Sequence, residues 1–353
     1  MSPRRLASDS PAHDRPDHTP RREICGMIGA AMVIKRKREP GRGADDATES
    51  TRTVLIALGA NVGVAVAKTV AAVLSGSASM IAEAAHSWAD TGNEVFLLIA
   101  DRRSKRPPDA QHPLGYGREA YMWSLLAAVG LFAAGAMVSV WHGVADMIQG
   151  GSSLGDARVA YLVLVIALVM ESTSLRQAVH QLRGEAEVYH RDVLEHALET
   201  SDPTLRGVFA EDSAAVIGIA LAFAGIGLHQ LTGNAVWDSL ASILIGILLG
   251  VIAVILIDRN RRFIAGEAGS DELHDVVVAR IEALPDVAAV RFVRLIYVGP
   301  RRLFLVASVD LAGDAPESHV AKKLRRLEHQ LESDPHIVDA VLTIADPDDA
   351  DRI

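Results

Sequence analysis

The distribution of apolar residues divides the chain into a hydrophobic middle and two polar ends. Between residues 53 and 257, apolar residues gather into six stretches separated by polar connections. A helix needs about 20 residues to cross the hydrocarbon core of a bilayer, and each stretch is long enough. The sequence therefore predicts six transmembrane helices, at 53–74, 77–100, 121–148, 159–179, 205–231 and 236–257.

The charges in the connections support this count. Basic residues concentrate after the second, fourth and sixth stretches, namely Arg102, Arg103, Lys105, Arg106, Arg118, Arg183, Arg191, Arg259, Arg261 and Arg262. The three alternating connections contain only Arg158. Because cytoplasmic loops carry an excess of Lys and Arg, we expect both termini on the cytoplasmic side.

After residue 267 the pattern changes to that of a small soluble domain. Residues 271–284 and 317–331 show helical spacing of apolar positions, and three segments alternate as strands do. Their order predicts an α-β-β-α-β module. We therefore expect four regions: a disordered basic tail at 1–52, a membrane domain at 53–262, a cytoplasmic α+β domain at 267–346 and an acidic tail at 347–353.

Composition excludes several classes of protein and site. The chain of 353 residues has a net charge of −9 and one cysteine, Cys25, which excludes an internal disulfide and a Cys-rich metal cage. It has no basic groove with interleaved aromatic residues, so we expect no nucleic-acid partner. No glycine-rich phosphate loop or nucleophile–base motif stands out, and we expect no enzyme activity.

Ionisable residues inside the predicted second helix indicate a function. A charged group at bilayer depth costs at least about 2.5 kcal/mol, so such groups face a cavity or one another. Glu83, His86, Asp90 and Asn93 (or Glu94) recur at steps of three and four and share one helical face. Imidazole and carboxylate donors suit divalent cations, so we interpret this face as a metal site. The alternative is a polar stripe that hydrogen-bonds to neighbouring helices.

The fifth and fourth predicted helices add further acids. Glu211 and Asp212 interrupt an apolar run in the fifth. Neighbours on a helix point about 100° apart, so we expect one of them to line the cavity and the other not. In the fourth helix, Glu171 is expected to face the bundle or to pair with Arg176, because an unpaired acid there is costly.

Two polar residues lie in the predicted first helix. Asn61 is a candidate for the cavity. Lys68 has two interpretations, a functional role in the bundle or a side chain that snorkels to the outer interface, and the second is favoured.

Four segments of the chain resemble the cation diffusion facilitator family. They are NVGVAVAK at 61–68, SGSASMIAEAAHSWADTGN at 75–93, HPLGYGREAYMWSLL at 112–126 and DPTLRGVFAEDSAAVIGIA at 202–220. The last resembles a subgroup that includes the mitochondrial-type zinc transporter members. The resemblance implies six helices, a cytoplasmic ferredoxin-like domain, a homodimer, and export of divalent cations in exchange for protons.

The resemblance also implies a set of ligands. The family's second-helix pair falls on His86 and Asp90, and its fifth-helix pair falls on Val208 and Asp212. Asp212 is therefore the preferred ligand, with Glu211 as a supporting carboxylate, proton acceptor or alternative ligand. Val208 cannot coordinate a cation. If Glu211, Asn61, Glu83 or water supplies the missing donor, preference should move from zinc towards harder ions such as Mn²⁺ or Fe²⁺.

Accessory metal sites of the family are incomplete in this chain. In the loop after the second helix, Asp109 and His112 match ligand positions, but Tyr116 replaces a second His, and a structural loop is the favoured interpretation. In the cytoplasmic domain only His319 and Asp346 match. The other positions hold Arg291, Ser308 and Ile344, so we expect this domain to support dimerisation rather than a binuclear metal centre.

The sequence thus predicts a multi-pass membrane protein that exports a divalent cation of the Zn, Mn or Fe class by alternating access. The cation is substrate, and we expect no permanently bound cofactor. A non-transporting membrane scaffold or metal sensor with a degenerate site is the alternative. The scarcity of Lys relative to Arg and the Ala-rich helices hint at a GC-rich bacterial genome, for which we expect the plasma membrane.

Overall fold

A computed structural model describes residues 45–151, 155–188 and 191–345. Within these ranges six long helices form the membrane domain, and they are α1 (Asp45–Ser75), α2 (Ala78–Ser104), α3 (Glu119–Ile148), α4 (Ala157–Val188), α6 (Pro203–Thr232) and α7 (Val236–Ala265). A short helix, α5 (Val193–Glu199), lies between α4 and α6. The chain before Asp45, which holds most of the predicted tail and Cys25, lies outside the described residues.

Five of these helices are long and apolar enough to cross a membrane, and α2 falls short because of its charged residues. The helix is nonetheless present where the sequence predicts it, and it packs against α1, α3, α6 and α7. A helix surrounded by protein in this way can carry polar groups that lipid would not tolerate.

Two helix ends differ from the prediction. Helix α1 begins at Asp45, inside the region expected to be disordered, and α4 continues to Val188, about nine residues past its predicted end. Both extensions are polar and lie beyond the apolar stretch that the prediction used. Glu171 and Arg176 do not interrupt α4.

Close helix packing in the membrane domain depends on small residues. A Cβ atom on Gly143 of α3 would lie 2.7 Å from the carbonyl oxygen of Ser239 in α7. On the facing helix, a Cβ on Gly246 would lie 2.8 Å from the backbone nitrogen of Val140. Small residues let helix backbones approach closely where hydrophobic burial gives no driving force between helices.

The soluble domain has the predicted α-β-β-α-β order, with α8 (Asp271–Glu282), β1 (Val287–Gly299), β2 (Arg302–Leu311), α9 (Glu317–Glu332) and β3 (Ile337–Ile344). The sheet order is β1-β2-β3, with β1 antiparallel and β3 parallel to β2. Its core includes Ile281, Leu305 and Leu331, which are fully buried. The expected α+β fold is confirmed.

The tip of the β1–β2 hairpin contacts the membrane domain. A Cβ on Gly299 would lie 2.7 Å from the Cα of Gly117, in the loop after α2. Arg301, with a φ of 56°, donates its backbone N–H to Ser201 Oγ at 3.1 Å and its guanidinium to Glu185 Oε1 at 2.7 Å. The loop after α2 and the residues that precede α6 therefore lie on the side of the soluble domain.

Candidate metal site in the helix bundle

The polar face of α2 is directed into the bundle. Glu83 and His86 have no exposed surface, and Asn93 is also buried. His86 Nδ1 lies 3.3 Å from Asp90 Oδ1 one helical turn away, as the i, i+4 spacing predicts. The side chain of Asp90 keeps 18% of its surface exposed, whereas that of His86 is fully buried.

Lys68 does not snorkel. Its ammonium lies 2.9 Å from Glu83 Oε2, and neither side chain has any exposed surface. The favoured interpretation of Lys68 is therefore wrong. The reason is that Glu83, on the neighbouring helix, offers a charged partner inside the bundle, and a buried pair is far less costly than a buried single charge.

The two acids of α6 have different surroundings. Glu211 accepts a short hydrogen bond from the Asn93 amide of α2. Asp212 is 8% exposed, and its Oδ2 has no hydrogen-bond partner among the described residues. The structure therefore joins Glu211, rather than Asp212, to the polar face of α2.

Glu171 belongs to α4, which packs against α1 and α6. Its side chain is part-buried. Within the described residues it forms no ion pair with Arg176, so of its two expected arrangements the structure has the one that faces the bundle.

Several donor atoms of this region are buried and have no hydrogen-bond partner within the described part of the chain. They are Glu83 Oε1, both ring nitrogens of His86, Asp90 Oδ1 and Asp212 Oδ2. Buried polar atoms normally find a partner, and exceptions call for an explanation such as an ion. Imidazole nitrogens and carboxylate oxygens are the donors of a divalent-cation site.

These donors are not assembled into one coordination shell. Across residues 45–151, 155–188 and 191–345, no three His, Cys, Asp or Glu side chains lie close enough together to hold an ion. The structure thus brings His86 and Asp90 together and leaves Asp212 apart from them. Val208 is part-buried one turn before Asp212 and, being apolar, supplies no donor.

The remaining candidates in the membrane domain and its loop form hydrogen bonds with neighbouring residues. Asn61 of α1 donates its amide to Glu94 Oε2 at 3.0 Å, which ties α1 to α2 near the end that faces the soluble domain. In the loop after α2, Asp109 accepts hydrogen bonds from the Tyr116 hydroxyl at 2.6 Å and the His112 N–H at 2.8 Å. These bonds, that of Tyr116 first, hold the pKa of Asp109 below its usual value.

In the soluble domain, His319 is exposed near the start of α9. Its proposed companion Asp346 lies outside the described residues. Ser308 faces Phe292 and Thr343 in the sheet register. The expectation that this domain lacks a binuclear metal centre stays a prediction.

Sequence reasoning missed two contacts, Lys68 with Glu83 and Asn93 with Glu211. The first had a signal: opposite charges stand in two adjacent predicted membrane helices, and each needs a partner there. The second had none, because the rotation of α6 about its own axis decides which of two adjacent acids meets α2.

Comparison with known proteins gives the family. The sequence model of the cation efflux transmembrane domain matches residues 54–262. The chain is 33% identical over 246 residues to the mouse (Mus musculus) protein named "Proton-coupled zinc antiporter SLC30A9, mitochondrial", which covers 70% of this chain and 43% of that protein. It is 32% identical over 254 residues to metal tolerance protein C4 of Arabidopsis thaliana, covering 72% of this chain and 55% of that protein.

A third relative is bacterial. The magnetosome protein MamM of Paramagnetospirillum magneticum is 25% identical over 292 residues, which cover 77% of this chain and 84% of that protein. The chain spans less than half of the mouse relative's length. The domain match covers more than half of the chain and all six helices of an integral, multi-pass membrane protein, so the chain belongs to the cation diffusion facilitator (cation efflux) family.

Proposed function

We propose that this protein exports a divalent metal cation across a membrane in exchange for protons, as a transporter and not an enzyme. The observation that carries the proposal is the group of buried donor atoms without hydrogen-bond partners on α2 and α6. The names of the relatives, a zinc antiporter and a metal tolerance protein, agree with a metal ion as substrate.

His86 and Asp90 form the preassembled half of the proposed site. Because their side chains are 3.3 Å apart, both can coordinate one cation from a single helix. Asp212 completes the site when α6 approaches α2, with Glu211 as the alternative carboxylate because Asn93 already holds it against α2. The separation of these halves in the structure fits a transporter that must also release its cation.

Protons enter the cycle by competition with the cation. A metal ion requires neutral imidazole and ionised carboxylates, so its binding releases protons from these groups. Proton return on the other side of the membrane would then release the cation. His86 is the main candidate for this exchange, because imidazole changes charge near physiological pH.

The ion is proposed to be of the Zn, Mn or Fe class. Val208 stands at the position of a family histidine. An oxygen donor in place of that imidazole favours the harder ions Mn²⁺ and Fe²⁺. Competitive binding in which Zn²⁺ strongly displaces Mn²⁺ and Fe²⁺ would remove this preference. A homodimer held by the soluble domains, in a bacterial plasma membrane with both termini cytoplasmic, completes the proposal.

The test uses proteoliposomes with a pH-sensitive dye inside. We expect Asp90→Ala and Asp212→Ala each to abolish metal-driven proton flux. Lys105→Gln, which removes an exposed ion pair with Asp101, is the matched control and should transport normally. Unchanged flux in both aspartate variants would exclude this site.

The second candidate is a metal sensor or scaffold that does not transport. It is favoured by Val208 and by the dispersed donors. A metal-uptake assay separates the two: uptake above that of empty vesicles supports transport, and binding without uptake supports the sensor.

A further inference from the structure

The polar residues of α2 lie at successive depths in the membrane. The loop after α2 contacts the soluble domain through Gly117, so the end of α2 is on the side of that domain, which the proposed topology places in the cytoplasm. With a rise of about 1.5 Å per residue, Glu83 lies roughly 10 Å further from the soluble domain than Asp90, with His86 between them. A cation that leaves His86 and Asp90 in the outward direction would meet Glu83 next.

Of the side chains at these depths, that of Asp90 keeps an exposed surface. The Asp90 side chain is 18% exposed, whereas those of His86, Glu83 and Lys68 have no exposed surface. The Lys68–Glu83 pair therefore lies in a closed part of the bundle, on the far side of His86 from the soluble domain.

The pair closes the space between three helices. Lys68 of α1 holds one oxygen of Glu83 of α2 at 2.9 Å. The other oxygen, Oε1, lies so close to Gly218 of α6 that a Cβ atom there would overlap it. Glycine at 218 is thus what allows the carboxylate to sit between α2 and α6.

We propose that Lys68 and Glu83 form a tethered-cation plug that seals the outward end of the transport path. The proposal rests on the transport function proposed above. In the closed state the Lys68 ammonium occupies the carboxylate that an outgoing metal ion would use. The ion must displace the ammonium to pass, and the ammonium returns afterwards because it is covalently held to α1.

A purely structural ion pair would look different. Buried structural charges are stable when their remaining lone pairs are hydrogen-bonded. Asp238 in α7 is such a case, since it accepts bonds from Ser77, Ala78 and Ser79. Glu83 Oε1 has no partner among the described residues, which leaves an acceptor for a passing cation.

The test measures access to a thiol from each side of the membrane. Ser87 is 4% exposed and lies one turn from Glu83 on the His86 side. A cysteine introduced by Ser87→Cys therefore reports on access to the cytoplasmic side of the plug. Cys25 is the single native cysteine and is replaced by Ser. A membrane-impermeant thiol reagent is applied to the outer or the cytoplasmic face of oriented vesicles of the full chain.

With Lys68 present, we expect labelling from the cytoplasmic face and protection from the outer face. Lys68→Gln should raise the outer-face labelling rate about tenfold or more, which corresponds to about 1.4 kcal/mol in the closed-to-open equilibrium. The control Lys105→Gln removes an exposed Lys–Asp pair in the same background and should leave both rates unchanged.

The double variant Lys68→Gln with Glu83→Gln leaves no unpaired buried charge, and it replaces Lys68→Gln if that variant fails to fold. It should show the same loss of outer-face protection. Outer-face rates in both variants that equal the Lys105→Gln rate would overturn the plug. Because labelling requires no transport, metal flux measured in the same vesicles tests the transport function separately.

Discussion

Two buried aspartates in the same helix bundle have opposite surroundings. Asp238 of α7 is 2% exposed and accepts hydrogen bonds from Ser77 Oγ at 2.9 Å, from the Ala78 N–H at 2.6 Å and from Ser79. Asp212 of α6 is 8% exposed, and its Oδ2 has no partner in the described part of the chain. The two aspartates are therefore alike in burial and differ in whether their oxygen atoms have hydrogen-bond partners.

The surroundings of Asp238 also explain how α2 is held. Its carboxylate lies at the N-terminus of α2, where the unpaired N–H groups and the positive end of the helix dipole favour an anion. Asp238 thus fixes the N-terminal end of α2 to α7, whereas Asp90 Oδ1 and Asp212 Oδ2 have no hydrogen-bond partner among the described residues.

The largest expected effect is on transport by Asp212→Asn, which keeps the shape and removes the charge. Uptake of Mn²⁺ or Zn²⁺ into proteoliposomes should fall below about 1% of wild type. Loss of a residue that only hydrogen-bonds to a metal ligand lowers metal affinity or activity about 10- to 100-fold, and loss of the ligand itself should have a larger effect. Thermal stability should be retained or increased. Normal uptake would show that the orphaned oxygen of Asp212 has no role with the cation.

The converse variant is Asp238→Ala. It leaves the buried N–H groups of Ala78 and Ser79 and two hydroxyls without their acceptor, and each such group costs about 1–3 kcal/mol. We expect the free energy of unfolding to fall by about 4 kcal/mol or more, measured by thermal denaturation in detergent. If transport is lost while stability is unchanged, the distinction between the two aspartates fails.

A third variant, Val208→His, adds an imidazole one turn before Asp212. Nitrogen donors favour zinc over the harder ions, so the Zn²⁺-to-Mn²⁺ preference should rise by about tenfold. Competitive uptake of the two metals measures this ratio, and Val208→Ala is the control for altered packing. An unchanged ratio would place the cation away from Val208.

The smallest effect is expected at Asp334, a buried carboxylate of the soluble domain that has hydrogen-bond partners. Burial opposes its ionisation, but hydrogen bonds from His336 and Arg280 outweigh this, so the pKa of Asp334 lies below its usual value. A lowered folded-state pKa contributes stability above the unfolded-state value of 3.8, and this contribution is lost as the pH falls through the folded value.

Asp334→Asn should therefore cost about 1 kcal/mol at neutral pH and less than that in acid. Thermal denaturation of the full chain at pH 7 and below pH 4 gives both numbers. A destabilisation that is the same at both values would contradict the ionised state of Asp334 in the fold.

Most of the fold follows from the pattern of apolar residues. Six stretches of about 20 residues and the later α-β-β-α-β pattern are visible because their period is local. The start of α1 and the end of α4 cannot be predicted in this way, because both helices continue into polar sequence beyond the apolar stretch. The polar face of α2 is equally visible, because steps of three and four fix it within one helix.

The partners of that face depend on how separate helices are rotated and placed. Lys68 pairs with Glu83, and Glu211 rather than Asp212 meets Asn93, because α1 and α6 present particular sides to α2. Spacing within one helix carries no information about that rotation. The sequence therefore predicts the donor types, whereas the structure determines which donors meet.

The most direct test of the proposed cation site is anomalous X-ray diffraction from crystals of the protein loaded with Mn²⁺ or Zn²⁺. We expect a metal peak between α2 and α6, within about 2.0–2.3 Å of His86, Asp90 and an α6 carboxylate. A peak confined to the loop at Asp109 and His112, or to the soluble domain, with none between α2 and α6, would contradict it.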